Sequence, residues 1–256
     1  MCKRMSHLHK QYKNADNLNK RIAIHDYSTN KLGFGNWIVS HYEIKPGYRI
    51  LELGCGTGDM WKKHLNLLDG NTSLTLTDFS AGMLESAKSN LGLRNELSYA
   101  VVDIQSIPYE ENSFDAVIAN MMLYHVPDLN QGLSEVRRVL KPVGKFYCAT
   151  YGEHGISEYV ADLLREQGIS DRLNKAFTLQ NGAAALQKHF ASVKRFDYED
   201  ALEIPNPDEF ADYVLSLASL DNIENLDQNA LTSALAARMK DGILRVPKEY
   251  GMFICI

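Results

Sequence analysis

The chain has 256 residues, of which 45% are hydrophobic and 23% are charged. These fractions are close to those of globular proteins, so they exclude a disordered chain, a collagen-like repeat and a long coiled coil. At about 100–200 residues per domain, the length fits one large domain or one domain with an insertion. The net charge of -5 gives no general attraction to phosphate backbones or anionic lipid. No apolar run approaches the roughly 18 residues that a membrane helix requires, so we expect no membrane association.

The cysteines are far apart in the sequence. They stand at positions 2, 55, 148 and 255 and form no CxxC pair, so we expect free thiols in a reducing compartment. Cys2, His7 and His9 lie near one another, but their spacing is not that of a zinc site, and we expect no metal. No apolar stretch follows the basic start of the chain, which argues against a secretory signal and favours a cytoplasmic location.

Charge is unevenly distributed along the chain. Residues 1–21 carry six Lys or Arg and one Asp, whereas residues 197–230 carry ten Asp or Glu and no Lys or Arg. A basic arm could touch nucleic acid, but such runs are more often solvated surface. The acidic segment would repel a phosphate backbone near it, so nucleic acid is not an expected partner.

From about residue 47 to 150, β-rich runs alternate with helix-periodic runs, which predicts a parallel sheet flanked by helices. Ser80 is a good N-cap for one of these helices, and Gly92 is a good stop signal. The predicted strands cover about 48–53, 74–77, 97–102, 114–119 and 145–150. The predicted helices cover about 61–68, 80–91 and 129–140.

The order of elements is less regular outside this stretch. We expect helices at about 155–166, 181–189, 208–220 and 228–240, a strand near 191–204, and β-prone residues at 243–246 and 252–256. Trp37, Ile38 and Tyr42 lie at helical spacing, so residues 1–46 are predicted to form an N-terminal helical cap. The main domain is then 47–256, with a helical insertion at 205–241.

The sharpest local motif is a glycine-rich turn between a predicted strand and a predicted helix. Gly54, Gly56 and Gly58 alternate with Cys55 and Thr57, and glycines at this spacing let the backbone turn sharply and approach a ligand closely. A dinucleotide-binding turn would have its third glycine at position 59, which is Asp. Nicotinamide binding therefore loses support.

Polar side chains also follow the next three strands. Asp78 is placed to accept hydrogen bonds from ribose hydroxyls, and Asp103 to accept from an adenine amino group, with Ile104 beside the ring. Asn120 ends the fourth strand. Asp78 and Asn120 also fit a purely local role as helix caps. Ligands of open α/β sheets bind beyond the carboxyl ends of the strands, however, so the set together predicts a nucleoside-type ligand there.

These motifs give the chain its resemblance to a known family. It resembles the class I S-adenosylmethionine-dependent methyltransferases, and within them the type 11 group. The resemblance is carried by residues 50–58, 76–84, 103–108, 113–120 and 135–142, and it is dense over 47–150. It implies an α/β, Rossmann-like, seven-stranded and mostly parallel sheet, with an N-terminal helical cap and a helical insertion before the last strand. Residues 26–31 also look like the cap of some bacterial members.

The resemblance implies S-adenosylmethionine as cofactor, S-adenosylhomocysteine as product, and an enzyme of the EC 2.1.1 class. Two positions depart from the family pattern, because Val143 stands where a Gly is common and Asp78 is shorter than the usual Glu. The implied cofactor-binding residues are Gly54, Cys55, Gly56 and Gly58 under the methionine part, Glu52 supporting the loop and the amino group, Asp78 at the ribose, Phe79 and Met83 flanking the adenine, Asp103 and Ile104 at its edge, Asn120 by its backbone, and Tyr27 closing over it.

The sulfonium methyl is already activated, so alignment of the acceptor and exclusion of water supply most of the catalysis. A hydroxyl, thiol or ammonium acceptor also needs a general base. His125 and His154 follow strands on the ligand side and are the candidate bases, although a histidine in such a loop is more often a structural hydrogen-bonding group. His154 and Glu158 have the spacing of one helix face. Tyr124 and Tyr151 are candidates for stacking on the adenine, the sulfonium or the acceptor, whereas Trp61 better fits the core.

The acceptor is expected to be a small molecule, because the sequence has no broad basic surface and no appended RNA-binding module. Two alternatives stay open. One is a protein or RNA methyltransferase that docks through its basic N-terminal arm, and the other is a cofactor-binding protein without transfer activity. The acceptor atom, the pathway and the oligomeric state are not determined by the sequence.

Overall fold

The computed structural model describes residues 23–217, 219–223 and 226–256. The basic arm and the trio Cys2, His7 and His9 lie outside these residues. In chain order, the strands are β1 (Arg49–Leu53), β2 (Ser73–Asp78), β3 (Leu97–Val101), β4 (Phe114–Ile118), β5 (Leu140–Tyr151), β6 (Ser170–Asp171), β7 (Val193–Ile204), β8 (Leu220–Asp221) and β9 (Leu244–Cys255). The α-helices are α1 (Phe34–Ser40), α2 (Ala81–Leu91), α3 (Leu129–Val139), α4 (Ile156–Leu163), α5 (Gly182–Leu186), α6 (Pro207–Leu215) and α7 (Gln228–Ala236).

Within the described residues, seven strands form one sheet in the order β3-β2-β1-β4-β5-β9-β7. β1 pairs in parallel with β2 and with β4, β2 with β3, and β4 with β5, whereas β9 runs antiparallel to β5. The predicted seven-stranded, mostly parallel sheet is therefore confirmed. The carboxyl ends of β1 to β4 lie at one edge of the sheet, because parallel strands end on the same side.

Alternation along β1 and β4 explains why both faces of the sheet are covered. Leu51 and Leu53 pack with Val117 in one buried cluster, while Ile50 packs with Ile118 in a second cluster. Successive side chains of a strand point to opposite faces. A strand that is apolar at almost every position is therefore stable only between two layers, as parallel sheets require.

The helix boundaries of α2 follow the expected local signals. The Ser80 side chain accepts a hydrogen bond from the Met83 backbone N–H, and Gly92 ends the helix with φ 77°. α3 begins in the same way after Asp128, whose side chain accepts from the backbone N–H of Gln131. Both N-caps satisfy backbone donors that lack partners in the first helical turn.

Three predicted elements differ in the structure. The helix predicted at 61–68 is replaced by two short 3₁₀ segments, Asp59–Lys63 and Leu65–Leu67. β5 begins at Leu140 rather than at residue 145, and its pairing with β4 is shifted between Phe114 and Ala116. The two β-prone stretches near the end form one strand, β9. In each case long-range packing overrode the local turn signals.

The chain divides into two compact units, and the first of them comprises Phe34–Gly152, Asn174–Tyr198 and Tyr250–Ile256. It contains β1 to β5, α1, α2, α3 and α5, and it is called the sheet unit below. Its core consists of the two clusters on the faces of the sheet.

The second unit comprises the described residues of the ranges 23–33, 153–173 and 199–249, and it is called the helical unit below. It contains α4, α6, α7 and the two-stranded sheet of β6 and β8. Its buried cluster includes Val160, Phe210 and Leu231, one from each helix. α6 and α7 fall within the predicted insertion 205–241, while the predicted domain boundary at 46/47 stays a prediction. In the described residues, no helix is long and apolar enough to span a bilayer.

Candidate functional site

The glycine-rich turn follows β1 directly, and its backbone conformation requires glycine. Gly54, Gly56 and Gly58 have φ of 71°, 57° and 70°, in the left-handed region. Two of them are also packed too tightly for a side chain. A Cβ on Gly54 would lie 2.9 Å from the Met122 side chain, and one on Gly58 would lie 2.9 Å from Leu91. The turn is therefore fixed between the β4–α3 loop and α2.

Gly56 differs from its two neighbours. A Cβ built on it would meet no protein atom within 4 Å. Its backbone N–H donates to Asp78 Oδ2 at 2.9 Å, so the loop is tied at this point to the end of β2. The middle of the glycine turn thus presents bare backbone in a fixed position, a cradle that a ligand can approach.

Asp78 holds two backbone segments at once. Its second oxygen, Oδ1, accepts from the Ser80 N–H at 2.8 Å. This bond is a local role of the kind that the sequence also allowed for Asp78. Phe79 is 66% exposed at this edge although it is aromatic. Met83 is half-buried in the first turn of α2. A carboxylate with lone pairs left after two hydrogen bonds, beside an exposed ring, suits the recognition of a nucleoside.

Glu52 is a carboxyl group buried beneath the glycine turn, with 4% exposure. It accepts a hydrogen bond from Trp61 Nε1 at 2.6 Å. Burial raises the pKa of Glu52 to about 7, the Trp61 hydrogen bond acts against this rise, and the nearby Asp78 adds to it. Burial likewise raises the pKa of the Cys55 thiol, so Cys55 is a neutral side chain of the loop.

Asp103 lies after β3, as predicted, but its carboxylate already has a partner. The backbone N–H of Gln105 donates to Asp103 Oδ1 at 2.9 Å, and the Gln105 amide donates to the same oxygen at 3.1 Å. The Ile104 side chain is 5% exposed and packs in the core. At this position a ligand can meet the backbone of Ile104 but not its side chain.

Asn120 follows β4, and its side chain is engaged inside the protein. It donates to the Tyr42 hydroxyl at 2.6 Å and accepts from the Ala149 N–H at 3.1 Å. Burial raises the pKa of Tyr42 well above its usual value, so this hydroxyl remains neutral. The next residue, Met121, has φ 54°, which is uncommon for a non-glycine residue. Asn120 thus fixes a strained turn at the strand end, and its backbone is the part left for a ligand.

His125 closes the 3₁₀ turn Leu123–His125 and is exposed. Its ring lies 4.5 Å from the ring of Tyr124. Because Asn120 and this turn follow β4, His125 belongs to the same edge of the sheet unit as the glycine turn.

The other two predicted residues lie in the helical unit. Tyr27 ends the 3₁₀ segment Ile24–Tyr27, and its hydroxyl donates to Glu209 Oε2 at 2.5 Å. His154 precedes α4, so it does not share a helix face with Glu158, but its Nδ1 lies 2.9 Å from Glu158 Oε2. This contact raises the pKa of His154.

Sequence reasoning missed several residues that build the site. Tyr42 meets Asn120 from 78 residues away, and no local pattern reports such a contact. Asn90, at the end of α2, donates to Thr57 O at 2.9 Å and fixes the far side of the glycine turn. Gln105 carried a weak signal, since a side chain two residues after an aspartate often bonds back to it.

Comparison with known families agrees with this geometry. The family model described as a methyltransferase domain matches residues 51–148, the stretch that holds the glycine turn, Asp78, Asp103 and Asn120. The sheet and its flanking helices have the class I methyltransferase fold. Over this stretch the chain resembles the methyltransferase domain family, as its motifs indicated.

Two curated relatives extend the match beyond that stretch. A sterol 24-C-methyltransferase of Gibberella zeae is 29% identical over 192 residues, which cover 72% of this chain and 47% of the relative. A malonyl-(acyl-carrier protein) O-methyltransferase of Geobacter sulfurreducens is 33% identical over 168 residues, which cover 62% of this chain and 61% of the relative. The chain therefore spans about half the length of these relatives.

A solved structure shares the fold at low identity. It is phosphoethanolamine N-methyltransferase 2 of Haemonchus contortus, in complex with phosphomonomethylethanolamine and S-adenosylhomocysteine. The match has a TM-score of 0.54 and 21% identity and covers 87% of this chain and 52% of that one. At this identity the likeness concerns the fold.

Proposed function

We propose that this protein binds S-adenosylmethionine and transfers its methyl group to a small-molecule acceptor, an activity of the EC 2.1.1 class. The observation that carries the proposal is the bare cradle at Gly56, whose N–H is tied to Asp78. The cofactor fits these residues because its amino-acid part needs close backbone approach and its ribose needs a hydrogen-bond acceptor.

Each predicted residue has a place in this proposal. Asp78 has lone pairs left for the ribose, Phe79 and Met83 supply apolar surface for the adenine, and Asp103 and the Ile104 backbone border its edge. Glu52 and Cys55 support the glycine turn from below, and Asn120 offers its backbone. The closing role of Tyr27 stays a prediction.

When bound, the cofactor supplies an activated methyl group on a sulfonium. The protein then has to position the acceptor and, where the acceptor carries a proton, remove it. His125 suits proton removal better than His154. His125 follows β4 at the edge of the sheet unit that carries the glycine turn, whereas His154 belongs to the helical unit.

The small-molecule class is supported by the relatives, which are named for sterol and malonyl-carrier substrates.

The first test is Gly56→Ala, with S-adenosylmethionine binding measured by calorimetry. Since no protein atom lies within 4 Å of the added Cβ, we expect a folded protein whose cofactor binding is weakened at least about 10-fold by the Cβ in the cradle.

Gly47→Ala is the matched control. Gly47 has φ 84° and equally open surroundings but precedes β1, away from the turn. Both variants bear a similar backbone strain of about 1–2 kcal/mol, so only the first should lose cofactor binding. Equal affinities for the two variants would remove the glycine cradle from the proposal.

Asp78→Asn and Asp78→Ala form a second pair. Asparagine keeps a carbonyl acceptor, whereas alanine leaves the ribose hydroxyls without one and should weaken binding by about 10- to 100-fold. Undiminished binding by a folded Asp78→Ala protein would reject the ribose role.

A transfer assay with methyl-labelled cofactor and a cell extract then separates the alternatives. Label in low-mass products supports the proposal, whereas label in protein or RNA favours docking through the basic arm, to be checked by deleting residues 1–20. Cofactor binding without any transfer would indicate a binding protein rather than an enzyme.

A further inference from the structure

Two tyrosine rings lie against each other in the sheet unit, beside the candidate site. Tyr124 belongs to the 3₁₀ turn after β4, and Tyr151 is the last residue of β5. Their ring centroids are 4.5 Å apart at an interplanar angle of 34°, and both residues are half-buried. The exposed His125 ring lies 4.5 Å from Tyr124 on the same turn. We call Tyr124, Tyr151 and His125 the ring surface.

The ring surface is held rigidly by the segment 174–179. The Tyr151 hydroxyl donates to Asn174 O at 2.9 Å, and the Asn174 side chain donates to Tyr124 O at 2.5 Å. The backbone N–H of Leu179 donates to Tyr151 O at 3.0 Å. One short segment therefore fixes the Tyr151 hydroxyl and the backbone of both tyrosines, which reduces the entropy lost on ligand binding.

The same turn connects the ring surface to the glycine turn. Met122, two residues before Tyr124, packs closely against Gly54. A Cβ on Gly54 would lie 2.9 Å from the Met122 side chain. Met121, which joins Asn120 to Met122, has a left-handed φ of 54°. Backbone strain of this kind persists where the surroundings enforce it, and it is concentrated at functional sites.

We propose that the ring surface binds the methyl acceptor and that the acceptor carries a flat, conjugated ring. The inference rests on the proposed function, since it gives the substrate class of the same site. Rigid aromatic faces stack favourably on aromatic ligands, with a preference beyond the area they bury. The exposed ring of His125 lies beside Tyr124 and extends this aromatic surface.

Two other ligand classes fit the ring surface less well. A saturated ring gains only the burial of apolar area and no stacking preference. An ammonium group would be attracted to the tyrosine faces, but it would gain no ring-on-ring stacking.

Binding of three probes to the full chain tests the proposal without any turnover. The probes are naphthol, its saturated analogue decahydronaphthol, and choline, each titrated by calorimetry with S-adenosylhomocysteine absent and then present. We expect naphthol to bind more tightly than both other probes. Tyr124→Leu should weaken naphthol binding by about 5- to 10-fold, and Tyr124→Phe, which keeps the ring, should leave it near the wild-type value.

Tyr109→Leu is the matched control, because Tyr109 is also a half-buried tyrosine of the sheet unit. Its ring packs at 5.1 Å on Phe114, the first residue of β4, at the opposite end of the strand. It should not change naphthol binding. Tyr151→Leu gives a second variant of the ring surface, and circular dichroism establishes that each variant is folded.

Several results would overturn the proposal: equal binding of naphthol and decahydronaphthol, tighter binding of choline, no naphthol binding, or an unchanged affinity in Tyr124→Leu. The outcome is separable from that of the proposed function. S-adenosylmethionine affinity depends on Gly56 and Asp78 and should be unaltered in Tyr124→Leu, so loss of one kind of binding without the other shows which inference has failed.

Discussion

The polar residues at the strand ends and the acidic residues of 197–230 are equally conspicuous in the sequence, yet they lead to different kinds of structure. The strand-end residues lie where the pattern of alternating strands and helices predicts them. Several of the acidic residues instead meet partners that are far away in sequence. Asp200 is bonded to Lys248, Glu203 to Arg245, and Asp221 to Arg172. This acidic segment thus contains both a buried ion pair, Lys248–Asp200, and exposed ion pairs.

A glycine turn can therefore be predicted from the sequence more reliably than the role of a charged residue. A glycine turn is dictated by local backbone geometry, whereas the worth of a carboxylate depends on burial and partner. Four substitutions test this view, in order of decreasing effect.

Lys248→Met should have the largest effect. Lys248 donates to Asp200 and, at 2.7 Å, to Ser28, and the side chains of Lys248 and Asp200 are 6% and 0% exposed. Removing the cation leaves a buried carboxylate unpaired, which should cost about 3–5 kcal/mol of unfolding free energy. Urea denaturation at pH 7 measures it, and Lys248→Met with Asp200→Leu should recover much of the loss.

The same pair predicts an acid dependence. Burial by itself raises the pKa of Asp200, but the hydrogen bonds from Lys248 and the Asn30 N–H outweigh it and leave this pKa below the usual value. The pair's stabilisation is therefore present above the unfolded-state pKa near 3.8 and is lost as the pH falls through the lower folded-state value. A wild-type to Lys248→Met difference that stays constant to pH 2 would contradict the pair's role.

Glu52→Gln should have the next largest effect. Here the wild-type protein loses stability as the pH rises, whereas the Lys248–Asp200 pair loses it as the pH falls. The folded-state pKa of about 7 lies above the usual value of 4.5 for a glutamate, so ionisation costs the wild-type protein about 3 kcal/mol as the pH rises from 4.5 to above 7. The glutamine carbonyl still accepts from Trp61 but does not ionise. Unfolding free energies of the two proteins should diverge over this interval, and parallel pH profiles would show that Glu52 does not titrate there.

Asp227→Ala should have a moderate effect. Asp227 is the N-cap of α7, where its side chain accepts from the Ala230 N–H at 2.9 Å. Loss of an N-cap costs about 1 kcal/mol. Asp227→Asn keeps the acceptor and should lose only a few tenths of this amount in the same denaturation assay. If Asn and Ala were equally damaging, the charge rather than the cap would be responsible.

Arg245→Ala should have the smallest effect. Its guanidinium lies 2.6 Å from Glu203, but the two side chains are 68% and 47% exposed. Exposed pairs contribute about 0–1 kcal/mol, and salt screens them. The small loss should disappear in 0.5 M NaCl, unlike that of Lys248→Met. A loss comparable to that of Lys248→Met would mean that exposure does not determine how much an ion pair of this segment contributes to stability.

Much of the sheet unit could be predicted from sequence because its signals are local. Gly54, Gly56 and Gly58 require left-handed backbone, and Ser80 and Gly92 bound α2 as their side-chain chemistry dictates. The strand ends follow from apolar runs that stop at a polar residue. The same reasoning failed where a distant side chain intervened, as at Trp61, whose bond to Glu52 accompanies 3₁₀ turns in place of the predicted helix.

The sequence by itself determined the fold class, the glycine turn and the positions of Asp78, Asp103 and Asn120 after their strands. Only the tertiary structure decided which of these side chains still have lone pairs for a ligand, that Tyr42 holds Asn120, and that the rings of Tyr124 and Tyr151 are in contact. The physical reason is that backbone preferences and apolar periodicity act within a few residues. Hydrogen-bond partners, burial and ring contacts instead join residues such as 42 and 120, which only the folded chain brings together.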